Sequence, residues 1–232
     1  MLSSLSKWQI KYVTAKLEKY LYFIPQTSIH RPACRAFLSG RYHEPETHQL
    51  IRKIYDCIPG DLVHAGTFFG DMIPSFSDSI GPEWKLYCFE PVLESYILAK
   101  KCIEINKCSN VILSNCGVSD KINSLRIQTN GGKLGGGSSI CTGGDRYITT
   151  MTIDMFEIEN LACIHLDVEG HELNALKGAR KTILRCNPLI LIEDNNNNCK
   201  QFLHENDYIN KGHIPGLKIW VKRGDKRFEK II

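Results

Sequence analysis

Short apolar runs alternate with longer amphipathic stretches from residue 60 onward. Five runs have the length of a strand: 61–65, 85–89, 110–114, 162–166 and 189–192. Leu, Ile and Ala recur every three or four residues over 45–58, 92–107 and 171–186, which predicts helices there. Nearly continuous apolar strands separated by helices are typical of a parallel sheet that is covered on both faces. The pattern therefore predicts a doubly wound α/β domain.

The start of the chain has a different pattern. Apolar residues recur at steps of three and four, with lysines between them: Ile10, Val13, Leu17, Tyr20, Leu21 and Ile24. This spacing predicts an amphipathic helix that ends before Pro25. Such a helix docks on its own domain, joins a second subunit in a homo-oligomer, or lies on a membrane surface. We therefore divide the chain into an N-terminal helical extension, 1–40, and a main domain, 41–232.

The composition is that of a globular protein, with 43% hydrophobic and 23% charged residues among 232. It excludes a mainly disordered chain. No apolar run reaches the roughly 20 residues of a transmembrane helix, and no secretory signal opens the chain, so we expect a cytoplasmic protein. The ten cysteines are scattered without a CxxC pair. We expect them to be reduced thiols and not a disulfide framework or a zinc site.

The net charge of +4 is unevenly distributed, since 1–36 and 211–232 each carry +5 and the middle carries −6. Basic ends suit an anionic partner, such as nucleic acid or lipid headgroups, and they also suit a solvated lysine-rich surface. Basic and aromatic residues are not interleaved as they are in RNA-stacking modules, so nucleic acid is not expected.

Ligands of doubly wound sheets lie beyond the carboxyl ends of the strands. Gly66 and Gly70 follow the first strand, and glycine lets the backbone approach a ligand closely. The spacing matches neither GxGxxG nor a P-loop. Glu90 follows the second strand, where a carboxylate can accept both hydroxyls of a ribose; a solvated loop acid is the alternative.

More acids follow the fourth and fifth strands. Asp167, Glu169, His171 and Glu172 come after the fourth, and the pair 193–194 comes after the fifth. We expect these side chains to converge on one edge of the sheet, with a helix cap as the alternative role of Glu172.

Together these motifs resemble the FkbM-type methyltransferases, which use S-adenosylmethionine. The resemblance is carried by Gly66-Thr-Phe-Phe-Gly70-Asp71, by Phe89-Glu90-Pro91, and by Asp167-Val-Glu-Gly-His-Glu172 with Leu176-Lys-Gly-Ala179. It extends over about residues 40–210. It implies a Rossmann-like class I methyltransferase sheet, mostly parallel with a C-terminal antiparallel strand, and it implies that 39–44 closes over the methionine end of the cofactor.

The resemblance also implies a set of cofactor-binding residues. They are Glu44, His64, Gly66, Thr67, Phe69, Gly70, Glu90, Asn115, Cys116 and Asp167. In this set Glu90 holds the ribose, 115–116 flank adenine, and Asp167 faces the sulfonium. The chain departs from the family by having His64 in place of the usual Asp and His165 in place of the usual Lys. We expect both to be neutral histidines packed beneath the site.

The implied reaction is methyl transfer to a hydroxyl of a sugar or glycan. A hydroxyl is a poor nucleophile and needs a base or a metal. Among the candidate catalytic residues Asp167, Glu169 and His171, either of the last two could take the proton. Alternatively Asp167, Glu193 and Asp194 could hold Mg²⁺ through their oxygens.

Half of the residues in 131–144 are glycine, which suits either a lid that closes on a ligand or a disordered tether. Two rival functions stay open. A Gly turn with a ribose-binding acid also suits an NAD-dependent sugar-nucleotide enzyme, and the basic ends suit a binding module without activity for nucleic acid or an anionic membrane.

Overall fold

The computed structural model describes residues 10–229 and 231. The strands, in chain order, are β1 (Tyr12–Leu17), β2 (Tyr20–Pro25), β3 (Asp61–Ala65), β4 (Leu86–Phe89), β5 (Val111–Ser114), β6 (Gly117–Val118), β7 (Asn123–Gln128), β8 (Ser139–Ile140), β9 (Arg146–Met151), β10 (Leu161–Leu166), β11 (Leu189–Ile192), β12 (Tyr208–Ile214) and β13 (Leu217–Lys222). The α-helices are α1 (Pro32–Leu38), α2 (Pro45–Tyr55), α3 (Ile73–Ile80), α4 (Leu93–Ile105), α5 (Glu172–Lys177), α6 (Arg180–Cys186) and α7 (Lys200–Glu205).

The main sheet has seven strands in the order β12-β13-β11-β10-β3-β4-β5. The five strands from β11 to β5 are parallel, and β13 runs antiparallel to both of its neighbours. Helices α2 and α3 pack on one face around Ile51 and Phe76, and α5, α6 and α7 pack on the other around Leu176, Ile183 and Leu203. The prediction of a doubly wound, mostly parallel sheet with an antiparallel strand near the C-terminus is confirmed.

The predicted N-terminal helix over 10–24 is wrong, because β1 and β2 form an antiparallel hairpin there. The side chains of β1 alternate between exposed and more buried positions, and Glu18 makes the turn with φ 52°. Aromatic and β-branched residues favour strands, and the same apolar positions satisfy both periods. A homo-oligomer contact through this segment stays a prediction. Residues 1–9 of the predicted extension lie outside the described residues.

The hairpin docks on the main domain through specific polar contacts. Asn106, which follows α4, accepts a hydrogen bond from the Leu21 backbone N–H (2.9 Å) and donates one to the Leu21 carbonyl (2.8 Å). Tyr20 Oη donates to Asp78 (2.5 Å). Because these contacts join the hairpin to α3 and to the residue after α4, the hairpin packs directly against the main domain.

The predicted helix over 171–186 is broken into α5 and α6 at 178–179. A Cβ on Gly178 would lie 1.9 Å from the Ser119 carbonyl oxygen, so the chain passes too close to the neighbouring backbone for any side chain at this point. The periodic apolar positions continue across the break, which is why the pattern indicated one helix.

A second, four-stranded sheet is inserted between β5 and β10, in the order β6-β9-β7-β8. The Gly-rich segment, 131–144, connects two of its strands and contains a 3₁₀ turn at Gly135–Gly137 and the strand β8. Asp145 fixes its base, because the carboxylate accepts hydrogen bonds from the Thr129 and Gly131 backbone N–H groups (2.7 and 2.9 Å). These bonds lower the pKa of Asp145 to about 2.

All ten cysteines are free thiols, as expected. Several basic residues near the C-terminus pair with acids, since Arg223 pairs with Asp207 (3.0 Å) and Arg227 with Asp225 (2.6 Å). Among residues 10–229 and 231, no helix is long and apolar enough to cross a membrane.

Candidate active site

The turn after β3 lies against the ends of β4 and β10. The Gly66 N–H donates to the Phe89 carbonyl (3.1 Å), and Gly66 has φ 90°. A Cβ at this position would lie 1.8 Å from the Asp167 carbonyl oxygen. Gly70, with φ 85°, packs on Ala99 of α4. A Cβ added to Gly70 would lie 3.1 Å from the Cα of Ala99. Both glycines are therefore required by close approach, and the turn leaves open backbone beside the sheet edge.

Glu90 joins this turn to the loop after β4. Its carboxylate accepts hydrogen bonds from the Phe68 N–H (2.8 Å) and the Val92 N–H (2.9 Å). Burial raises the pKa of Glu90 to about 8, against the lowering effect of these two bonds. The solvated-acid alternative is wrong, because Glu90 is 5% exposed. Each carboxylate oxygen keeps a free lone pair for a ligand hydroxyl.

A cleft, called the main cleft because it adjoins the Gly turn and Glu90, opens between this edge and the inserted sheet; it has ≈ 520 Å³ of space not filled by atoms, part of it open to solvent. Its apolar lining is Phe68, Phe89, Val92, Val118, Ile127 and Ile140. Of the predicted residues in the Gly turn, Gly66 lines the cleft, whereas Thr67 and Phe69 are fully buried in the interior. Sequence reasoning missed Phe68, which has a positive φ of 45° and lines the cleft.

The two residues predicted to flank adenine lie next to the cleft but do not line it. Asn115 donates hydrogen bonds to the backbone carbonyls of Glu90 (2.8 Å) and Pro91 (3.3 Å) and so holds the loop after β4. Cys116 is buried in the core, and burial raises the pKa of its thiol to about 11. The next two residues, 117–118, contribute to the lining instead.

An acidic cavity adjoins the main cleft at its other end. It is lined by Arg31, Pro32, Ala33, His43, His64, Gly66, Phe68, Asp71, Met72, Gly136, Asp167 and Glu169. Burial and, to a smaller extent, the nearby Glu44 raise the pKa of Asp71 to about 7. Burial also raises the pKa of Glu44, the last residue of the stretch 39–44 that is predicted to close over a ligand. Sequence reasoning assigned no role to Asp71 or Arg31.

Three carboxylates meet at the rim of this cavity. Asp167, Glu169 and Glu193 each present an oxygen within 4.8 Å of the others. Burial raises the pKa of Asp167 well above its ordinary value, and Glu193 raises it further. The predicted convergence of acids from the ends of β10 and β11 is confirmed for these three residues, and such a cluster alone is no indication of a metal ion.

Asp194 was wrongly predicted to join this cluster. Its carboxylate accepts hydrogen bonds from the Asn198 N–H (2.9 Å) and the Cys199 N–H (3.2 Å), on the opposite side of the chain from Glu193. Successive side chains of an extended segment point to opposite faces, and Asp194 takes the face that holds the turn before α7. The predicted metal set 167, 193 and 194 is therefore not assembled.

His171 lines the main cleft and is held by neighbours. Its Nε2 lies 2.9 Å from Ser119 Oγ, and its Nδ1 lies 3.3 Å from the Asn174 amide nitrogen. Burial lowers its pKa. Glu172 accepts hydrogen bonds from the Val168 and Gly170 N–H groups (3.1 Å each) and so holds the loop before α5; these groups precede the helix, so the bonds are not those of a helix cap.

His64 and His165 are paired beneath the site. Their Nδ1 atoms lie 2.9 Å apart on adjacent strands, and both rings are almost fully buried. Burial lowers the pKa of His165 to about 4 and the pKa of His64 well below its ordinary value. The expectation of two neutral packed histidines is confirmed, and one ring donates its Nδ1–H to the other.

The Gly-rich segment covers the main cleft. A Cβ on Gly135 would lie 2.7 Å from the Phe68 ring, and Ser138 and Ile140 line the cleft beside it. The segment is therefore packed on the site and is not an extended tether, which favours the lid over the tether alternative.

The sheet order, the Gly turn after its central strand and the buried acid after the next strand define a methyltransferase-like α/β fold. The family model described as the methyltransferase FkbM domain matches residues 64–213, and the chain belongs to this family. No curated protein is similar enough in sequence to match the chain.

The chain is also similar to solved structures, and the fold is shared with the first of them. A methyltransferase FkbM from Methylobacillus flagellatus KT has a TM-score of 0.53 and 17% identity, over 70% of this chain and 43% of that one. This chain thus spans less than half of that structure's length. A precorrin-6y C5,15-methyltransferase from Geobacter metallireducens GS-15 has a TM-score of 0.46 and 9% identity, over 76% of this chain and 86% of that one. M. jannaschii TYW2 in complex with AdoMet has a TM-score of 0.43 and 13% identity, over 92% of this chain and 84% of that one.

Proposed function

We propose that the chain is an S-adenosylmethionine-dependent O-methyltransferase that acts on a hydroxyl of a sugar or glycan. The observation that carries the proposal is a set of acids, the buried Glu90 and Asp71 and the half-buried Asp167, beside a glycine turn that leaves the backbone open. Buried acids with raised pKa values are typical of sites whose ligand supplies the missing positive charge.

The residues present fit this cofactor. Glu90 has free lone pairs for the ribose hydroxyls, and the apolar lining of the main cleft suits adenine. Asp71 and Asp167 line the acidic cavity, which suits an ammonium and a sulfonium. When bound, the cofactor supplies an electrophilic methyl group. NAD fits less well, because its diphosphate would bring negative charge to a wall of acids.

Glu169 is the base that the geometry favours. Both ring nitrogens of His171 lie within hydrogen-bond range of neighbours, whereas the Glu169 carboxylate is exposed at the rim. A base at this rim takes the proton of the acceptor hydroxyl while Asp167 orients the donor end. The sugar or glycan class of the acceptor is supported by the family resemblance alone.

The proposal predicts that Glu90→Gln weakens binding of S-adenosylhomocysteine by about tenfold, because an amide replaces a charge-assisted acceptor for the ribose. Glu94→Gln is the matched control, since Glu94 lies on α4, pairs with Arg146 on β9 and does not line the main cleft. Isothermal titration calorimetry measures both. Equal binding by wild type and Glu90→Gln would contradict the ribose role.

The pH dependence of binding is a further expectation. Asp71 and Glu90 have pKa values raised to about 7 and about 8, so they are partly protonated near neutrality. A cationic ligand favours their ionised forms, and binding therefore releases protons. Affinity for S-adenosylmethionine should rise from about pH 6 to about pH 8. Each of the two carboxyl groups contributes at most about a tenfold rise per pH unit. Affinity that stays constant or falls over this range would contradict the charge argument.

The base assignment predicts a difference between two neighbours. Glu169→Gln should lower kcat by about 10²-fold to 10⁴-fold, and His171→Ala by less than about tenfold. Transfer of labelled methyl from the cofactor to a glycan fraction, resolved by mass spectrometry, measures both and identifies the acceptor. The reverse order would assign the base to His171.

A cation such as Mg²⁺ on Asp167, Glu169 and Glu193 is the alternative activator, and activity that survives exhaustive chelation would exclude it.

A further inference from the structure

We infer that Arg31 binds the carboxylate of the cofactor's methionine portion and so fixes that end of the cofactor in the acidic cavity. The inference rests on the proposed function, and it assigns a residue outside the 64–213 match.

Arg31 reaches this cavity from a distant part of the sequence. It immediately precedes α1, and its side chain lines the cavity together with Asp71, Asp167 and Glu169. In the part of the chain that the structure describes, the guanidinium takes part in none of the ion pairs.

The Gly-rich segment makes room for this side chain. A Cβ on Gly137 would lie 2.3 Å from Arg31 Nη2 and 3.0 Å from its Cζ. Any other residue at 137 would displace the guanidinium, because the close approach is to the charged end of the side chain. The lid and the arginine therefore close the same side of the cavity.

Charge balance points to the ligand group that Arg31 receives. The amino-acid end of the cofactor combines an ammonium and a sulfonium with one carboxylate. Acids on the cavity wall suit the two cations and repel the carboxylate, which needs a counter-charge of its own. Among the described residues that line the cavity, Arg31 is the only lysine or arginine. A guanidinium also matches the geometry of a carboxylate with two parallel hydrogen bonds.

The test compares two ligands that differ only in this group. Wild type and Arg31→Gln are titrated calorimetrically with S-adenosylmethionine and with its decarboxylated analogue. Arg31→Gln should weaken S-adenosylmethionine binding by about tenfold to a hundredfold and change binding of the analogue by less than about twofold. Arg31→Lys should restore part of the difference, because lysine keeps the charge but loses the paired geometry.

Arg35→Gln is the control, because Arg35 lies on α1, is exposed and does not line the cavity. Equal weakening of both ligands by Arg31→Gln would overturn the inference and indicate a general structural effect. Unchanged binding of both ligands by Arg31→Gln would also overturn the inference. The guanidinium would then be free to bind an anionic group of the acceptor. Failure of wild type to bind either ligand would overturn the proposed function itself.

Discussion

Gly66→Ala is expected to lower the free energy of unfolding by at least about 4 kcal/mol. The added Cβ would lie 1.8 Å from the Asp167 carbonyl oxygen, so the ends of β3 and β10 would have to separate. That movement also displaces the acid proposed to face the sulfonium. Urea denaturation monitored by circular dichroism gives the midpoint and slope from which the change is obtained.

Gly81→Ala separates this collision from the cost of backbone conformation. Gly81 has φ 78°, similar to the 90° of Gly66, and a Cβ there meets no atom within 4 Å. It should cost only about 1–3 kcal/mol, the penalty of this positive-φ backbone conformation for alanine. Similar losses in the two variants would show that close approach does not constrain Gly66.

Asp167→Asn is expected to weaken S-adenosylmethionine binding by about a hundredfold and S-adenosylhomocysteine binding by much less. Asparagine keeps the shape of the side chain and removes the negative charge, and only the first ligand carries a sulfonium. Calorimetric affinities of both ligands give the selectivity ratio, which a loss of packing alone would not change.

Asp194→Asn is the matched control for this prediction. Asp194 follows the neighbouring strand and caps the backbone of Asn198 and Cys199 away from the cavity. It should lower thermal stability slightly and leave the selectivity ratio unchanged. A fall in the ratio for Asp194→Asn, or none for Asp167→Asn, would contradict the placement of the charge.

The sheet could be predicted from the sequence because its strands are buried on both faces. Continuous apolar runs then have only one stable arrangement, and 61–65 and 189–192 have the predicted bounds. The start of the chain could not be predicted in this way. Over 12–25 the apolar positions fit both a helix and a two-stranded ribbon, and contacts with Asp78 and Asn106 favour the ribbon.

The candidate site was predictable where position along a strand determines it. Glu90 and Asp167 lie at strand ends, and parallel strands bring those ends together. Glu169, and not the predicted Asp194, joins Asp167 and Glu193 in the acid cluster. Which acid joins depends on side-chain direction, and the left-handed conformation of Glu169 sets its direction. Arg31 belongs to no motif, and only the tertiary fold brings it to the cavity.

Calorimetric titration of the wild-type chain with S-adenosylmethionine, S-adenosylhomocysteine and NAD tests the central claim most directly. We expect both sulfur compounds to bind at about micromolar concentrations and NAD not to bind. Absence of binding by both sulfur compounds, or tighter binding of NAD, would contradict the proposal that this acidic, glycine-lined cleft holds a methyl donor.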